Sequence, residues 1–281
     1  MRARSSARLE RQAHNLLVPG SNPGGPITRE RSLILLEKSV SAGFHAMNEA
    51  TRSVKALFFD LDGTLIDIDR REVEVIHDTV THFGLKVSKA KVKELCFLTP
   101  SYMDVFKELG FELTGDAIEY WTAAFVNGYR FTVVRRGVEP TLKVLSKEYR
   151  LACVTSRETC REVIQELSCL GLDRLFNHVV AREVAAKHLG VSSLPFFPFH
   201  EQRRKLYECA LAIAECRPNC VAAIGDMGRE LKPAKELGMM AVGLVTNKAR
   251  LKELRESSDF LIPSIDKLNS VLAELNKSCL H

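Results

Sequence analysis

Two aspartates, Asp60 and Asp62, stand two positions apart at the end of the apolar run Ala56-Leu57-Phe58-Phe59, and Gly63 and Thr64 follow. Ionised carboxylates are costly to bury unless they are paired or bound to a metal. A buried strand ending in two of them has no packing reason to do so. In an open α/β sheet, ligands gather at the carboxyl ends of the strands. Asp60 and Asp62 are therefore expected at the rim of a parallel sheet, where one divalent cation could hold both. Two later apolar runs also end in polar groups. Leu151-Ala152-Cys153-Val154 runs into Thr155-Ser156, which by itself could be a simple helix cap. Val221-Ala222-Ala223-Ile224-Gly225 runs into Asp226, with Glu230 following.

The elements that must position these groups alternate. Strand-like runs are expected at 55–60, 151–155, 178–181, 221–225, 240–245 and 260–262. Helical stretches lie between them at 138–148, 158–170, 201–216, 230–237, 248–256 and 264–276. Strands alternating with helices imply an α/β fold with a doubly wound parallel sheet. Gly110, Gly171 and Gly238 fall where helix C-caps belong. Residues 70–132 carry helical patterns at 71–83, 88–97, 101–109 and 115–128 without strands, so they are expected to form an inserted helical cap. The core is then 54–69 and 133–281. No internal repeat is evident.

The string Phe58-Phe59-Asp60-Leu61-Asp62-Gly63-Thr64-Leu65 resembles the first motif of the haloacid dehalogenase superfamily, and the chain is similar to its capped, phosphoglycolate-phosphatase-like members over residues 54–276. The resemblance implies a Rossmann-like core with a helical cap. It also implies that Asp60 is the nucleophile and forms an aspartyl-phosphate. Asp62 is then the general acid, and afterwards the base for the hydrolytic water, with its backbone carbonyl as a metal ligand. Gly63 allows the tight turn and Thr64 caps it. Thr155 matches the second motif, its hydroxyl meeting the phosphoryl oxygens beside the Ser156 N–H. Gly225-Asp226-Met227-Gly228-Arg229-Glu230 resembles the acidic GDxxxD motif. Asp226 is the direct metal ligand; Glu230 replaces the more usual Asp and acts through a water or a hydrogen bond. All-oxygen ligands suit Mg²⁺.

The chain departs from the family at its third motif. The slot for the expected Lys, counted back from Asp226 and anchored on Tyr207 and Ala210, holds Glu201. Lys205 lies four residues later on the same helix face, and helical side chains lean toward the N-terminus, so Lys205 is the expected cation; Lys187 is the runner-up. Two aromatic groups stand apart from these motifs. The segment Leu194–Phe199 is expected to pack on the core, with a lid or dimer contact as the alternative. Trp121, Phe125 and Tyr129 read as a helix core face.

The implied activity is a Mg²⁺-dependent phosphomonoester hydrolase acting on a small phosphorylated metabolite, with the cap closing over the leaving group. A sugar phosphomutase is one alternative, weakened because that group often has Val at the position of Thr64. A catalytically inactive regulatory or scaffold protein is the other, motivated by the absent Lys. Asp62 argues against a dehalogenase proper.

The chain has 281 residues, 46% apolar and 27% charged, in the ordinary range of a globular protein. No run approaches a membrane helix. The eight cysteines show no zinc-site spacing and read as thiols of a reducing cytoplasm. Residues 1–46 carry seven basic and three acidic side chains, which accounts for four of the five net positive charges. The remainder is near neutral and carries no strong signal for nucleic acid. This segment also holds Pro19-Gly20-Ser21-Asn22-Pro23-Gly24-Gly25-Pro26, which breaks any helix or strand. A disordered tail and an Arg-rich transit peptide are two readings. The favoured one is that it is not native: codons for Val18–Pro26 can spell GGTTCGAATCC, which resembles the T-arm of a transfer-RNA gene. Met47 is then the expected start.

Overall fold

The structure, a computed structural model, describes residues 53–99, 101–196 and 198–278. The expectations for residues 1–46 and for Phe197 lie outside the described residues.

The chain opens with β1 (Ala56–Phe59) and a short β2 (Ile66–Asp67). Four helices follow: α1 (Asp69–His82), α2 (Lys89–Leu98), α3 (Tyr102–Glu108) and α4 (Gly115–Asn127). The chain returns through β3 (Val133–Val134). It then runs α5 (Val138–Leu145), β4 (Arg150–Val154), α6 (Cys160–Cys169), β5 (His178–Val180), α7 (Arg182–His188) and α8 (Phe199–Ile213). It closes with β6 (Val221–Gly225), α9 (Gly228–Glu236), β7 (Met240–Leu244), α10 (Leu251–Ser257), β8 (Phe260–Ile262) and α11 (Leu268–Ser278).

Six strands form one parallel sheet in the order β5-β4-β1-β6-β7-β8. β1 is central and has no exposed residue, which is why its sequence is continuously apolar rather than alternating. Its side chains still divide by parity. Leu57 and Phe59 join Leu151, Cys153, Ala222 and Ile224 on one face, under α5, α6 and α11. Ala56 and Phe58 join Ala152, Val154 and Ala223 on the other, under α7 to α10. Burying rings such as Phe58 and Phe59 contributes roughly 2–3 kcal/mol each.

The order of strands reverses at β1, since β4 lies on one side of it and β6 on the other. A doubly wound sheet opens its ligand crevice at such a switch point. Asp60, Thr155 and Asp226 each follow directly after one of these three strands.

The cap is an all-helical insertion with its own core. Val73, Ile76 and Val80 of α1 pack with Val92 and Leu95 of α2 and Val105 and Phe106 of α3, and Trp121 of α4 lies against them. Its two connections to the sheet domain are β2 and β3, which pair antiparallel. The three expected C-cap glycines hold φ of +66° (Gly110), +72° (Gly171) and +85° (Gly238), the left-handed conformation that ends a helix. No helix among the described residues is long and apolar enough to cross a membrane.

Candidate active site

The turn after β1 is wound around one carbonyl: the N–H groups of Thr64, Leu65 and Ile66 donate to Leu61 O. Gly63 takes φ +86°, and a Cβ there would stand 2.6 Å from Asp226 Oδ2. Only glycine brings the two loops this close. Thr64 reaches further than a turn cap, donating Oγ1 to Asp226 Oδ1 at 3.1 Å. Thr246 donates to the other oxygen of Asp226 at 3.0 Å, and Arg250 pairs with that same oxygen.

Oxygens of Asp60, Asp226 and Glu230 lie within 4.8 Å of one another, and all three residues are buried. Glu230 therefore stands among the three carboxylates rather than behind them. Burial and the neighbouring charges of Asp226 and Asp62 push the Asp60 carboxyl up to about 7, against the opposing pull of Arg203. Burial and the charge of Asp60 raise Glu230 well above the usual carboxylate range. Asp60 Oδ2 and Glu230 Oε2 are both buried without a hydrogen-bond partner. Three crowded carboxylates with two oxygens unclaimed form a donor set that a hard divalent cation fits.

The cation beside Asp60 is Arg203, and neither lysine is there. Arg203 is fully buried on α8, with Nη1 3.1 Å from Asp60 Oδ1 and Nη2 donating to Tyr207 Oη at 3.3 Å. Lys205 stands two positions on, about 200° around the helix, away from the buried stripe of Arg203, Leu206, Tyr207 and Ala210. It does lean toward the N-terminus, but its Nζ ends on Glu201 at 2.7 Å, the residue that fills the expected slot. Lys187 is exposed on the last turn of α7.

Asp62 faces a different guanidinium. Arg157 donates Nε to Asp62 Oδ2 at 2.8 Å and Nη2 to Oδ1 at 2.5 Å. Burial would raise the Asp62 carboxyl, but this paired charge holds it below the usual range. Arg157 also pairs with Glu166 of α6, and Glu166 pairs with Arg71 of α1 at 3.0 Å. Arg71 ties into the far end of the cap, donating to Phe125 O at 2.6 Å and Thr132 Oγ1 at 3.3 Å. The Phe125 ring lies under Arg71 and Arg157, with its centroid 4.1 and 5.6 Å away. A chain of alternating charge, half-buried at Asp62 and buried at Glu166 and Arg71, thus runs from Asp62 to the connections of the helical insertion.

The sequence profile described as haloacid dehalogenase-like hydrolase matches residues 57–244, which span β1 to β7 and every site residue above except Thr246 and Arg250. The chain belongs to this family. It is 29% identical over 245 residues to a glyceraldehyde 3-phosphate phosphatase of Pyrococcus furiosus, covering 81% of this chain and 96% of that one. It is 25% identical over 224 residues to the pyrophosphatase PpaX of Anoxybacillus flavithermus, covering 78% and 97%. A haloacid dehalogenase-like family hydrolase of Streptococcus pneumoniae shares the fold with a TM-score of 0.62 at 20% identity, over 78% of this chain and 98% of that one.

In this haloacid dehalogenase-like hydrolase the expected polar residues follow directly after β4. Thr155 is buried, and its Oγ1 accepts from Arg157 N at 3.3 Å. Ser156 donates its hydroxyl to Gln202 Oε1 at 2.9 Å. Motif reading had missed Arg203, Gln202 and Arg157. A signal for Arg203 was present: it lies four residues before Tyr207 and seven before Ala210, on their apolar stripe. Arg157 directly follows Thr155-Ser156, but nothing in the sequence pairs it with Asp62. In the aromatic segment, Leu194 is buried in the core, whereas the Phe199 ring stacks under Arg229 with the guanidinium 4.7 Å from its centroid. Trp121 packs on Tyr102 and Phe106 within the cap, while Tyr129 is half exposed.

Proposed function

We propose that this hydrolase is a phosphatase that cleaves the phosphomonoester of a small phosphorylated metabolite, with Asp60 as the nucleophile. The observation that carries this reading is the Asp60 carboxylate: it is buried at the sheet's switch point, ion-paired to Arg203, and has one oxygen left without a partner. One oxygen of this carboxylate attacks phosphorus, and the other remains for the metal ion. The bond from phosphorus to the leaving oxygen breaks, and Asp62 protonates the leaving alkoxide. Asp62 then takes a proton from the water that attacks the aspartyl-phosphate, which frees Asp60.

Arg203 shields the carboxylates from one another and binds the phosphoryl oxygens. Its Nε has no hydrogen-bond acceptor, so a donor is available for that duty. An arginine here also removes the motive for an inactive scaffold, which was a missing cation. Thr155 and the Ser156 N–H complete the phosphoryl cradle. Both oxygens of Asp62 lie on Arg157, which keeps the carboxyl ionised, so Asp62 takes up the proton it donates only once an oxygen leaves this fork. Asp60, Asp226, Glu230 and the Asp62 carbonyl are the groups that would hold Mg²⁺. Bound there, the ion supplies positive charge between the nucleophile and the phosphoryl oxygens.

The names of two relatives, a glyceraldehyde 3-phosphate phosphatase and a pyrophosphatase, support a small phosphorylated substrate for this chain. The seven described cysteines form no disulfide, which fits a cytoplasmic location. The test is hydrolysis of p-nitrophenyl phosphate and of a panel of small phosphate esters with Mg²⁺. The wild type is expected to turn over and Asp60→Asn to lose activity by about 10³-fold or more. A folded wild type with no metal-dependent turnover would sink the reading.

A further inference from the structure

We infer that Gln202 is a phosphoryl-binding residue, its Nε2 donating to a non-bridging oxygen of the phosphate group. This deepens the phosphatase reading and rests on it.

Gln202 sits in the first turn of α8, one residue before Arg203, and is 2% exposed. Its Oε1 accepts from Ser156 Oγ at 2.9 Å, which fixes the plane of the amide and turns the nitrogen away from Ser156. Nε2 is buried and has no partner. Native proteins rarely leave a buried amide nitrogen unpaired, because the lost solvation is not returned.

The location gives the unpaired donor a use. Phe59 of β1 and Cys153 of β4 are register partners, so Asp60 lies beside Val154 and one step from Thr155. Ser156 follows immediately. The Gln202 amide is therefore anchored at the ends of the strands that carry the nucleophile and the phosphate-facing hydroxyl. The adjacent Arg203 holds Nε without an acceptor in the same way, while its Nη1 is ion-paired to Asp60. Neighbouring buried donors left without acceptors match a ligand with several acceptor oxygens and negative charge, and a phosphoryl dianion is one.

A plain alternative is that Gln202 only positions Ser156, and one isosteric change separates the two roles. Gln202→Glu keeps an oxygen to accept from Ser156 Oγ but replaces the free donor with an acceptor. Inorganic phosphate is the probe, titrated calorimetrically into the Mg²⁺-loaded protein, with kcat/KM for p-nitrophenyl phosphate measured beside it. Gln202→Glu is expected to weaken phosphate binding by about 20-fold or more and to lower kcat/KM in parallel. Gln202→Met, which removes the donor without adding charge, should weaken binding about 5-fold. Wild-type affinity in Gln202→Glu would overturn the inference and leave Gln202 a positioning residue for Ser156. Should Gln202→Glu not fold, Gln202→Met decides beside Ser156→Ala: wild-type affinity in Gln202→Met, or an equal loss in the two variants, overturns the inference equally. A wild type that neither binds phosphate nor hydrolyses the ester would bring down the phosphatase reading, and this inference with it.

Discussion

The chemistry converges on a few side chains, and the least expected of them is Arg203. Arginine and lysine are not interchangeable at such a position. A guanidinium offers a planar fork of donors, whereas an ammonium is a compact point charge. Arg203→Met should therefore remove the counter-charge of Asp60 and lower kcat/KM for a phosphate ester by roughly 100-fold or more. Arg203→Lys should recover part of that loss, mostly in kcat. Lys205→Met, which breaks only an exposed pair with Glu201, should stay within about 2-fold of wild type. Equal losses in Arg203→Met and Lys205→Met would return Lys205 to the site. The acids were legible because a charge at the end of an apolar strand conflicts with burial. The cation was not, because the motif interval leads to Glu201 and so to the face of Lys205, which is not the buried face of the helix. The stripe of Leu206, Tyr207 and Ala210 points to 203.

At the scale of elements, the path from Asp62 through Arg157 and Glu166 to Arg71 joins the sheet domain to the cap. A buried ion pair is weak evidence of stability, but breaking one strands the partner charge. Glu166→Leu would leave two nearly inaccessible guanidiniums, those of Arg71 and Arg157, without their shared carboxylate. The expected cost is about 3–5 kcal/mol in urea unfolding, well above the ~1 kcal/mol of a typical point substitution. A loss under ~1 kcal/mol would show that the chain of charges is not structural. The helices between β2 and β3, and the alternation of strands with helices that makes an α/β sheet, were legible from periodicity. The two-residue strands β2 and β3 were not, since two residues cannot display a period. The ionic path was equally hidden: its members are 95 positions apart for Asp62 and Arg157 and for Arg71 and Glu166, and only the folded chain brings them together.

For the whole molecule, the crowding of carboxylates predicts how stability varies with pH. Burial raises Asp60 to about 7, and raises Glu230 as well; in the first turn of α1, burial and the charge of Asp69 push Glu72 up to about 7. Each ordinarily titrates near 4, as it does in the unfolded chain. Between about pH 4 and pH 7 the folded protein therefore binds more protons than the unfolded one, and its stability falls as pH rises through that window. Asp62 is shifted the other way; its contribution is constant across the window and is lost only at more acidic pH. His178, lowered by burial, opposes the trend near its usual value, as one group against three. In a chelator the midpoint of thermal unfolding should accordingly be higher at pH 5.5 than at pH 8, by on the order of 5 °C. Divalent cations bind the ionised carboxylates and must displace any protons held there. Mg²⁺ should therefore raise the midpoint at pH 8 by clearly more than at pH 5.5, which narrows or reverses the gap. Asp226→Asn, which removes one of the three carboxylates, should abolish most of the Mg²⁺ increment and flatten the pH dependence together. Scanning calorimetry at both pH values, with and without Mg²⁺, reads all of these. A midpoint that is higher at pH 8 in the chelator would mean that Asp60, Glu72 and Glu230 are solvated or paired in the folded protein.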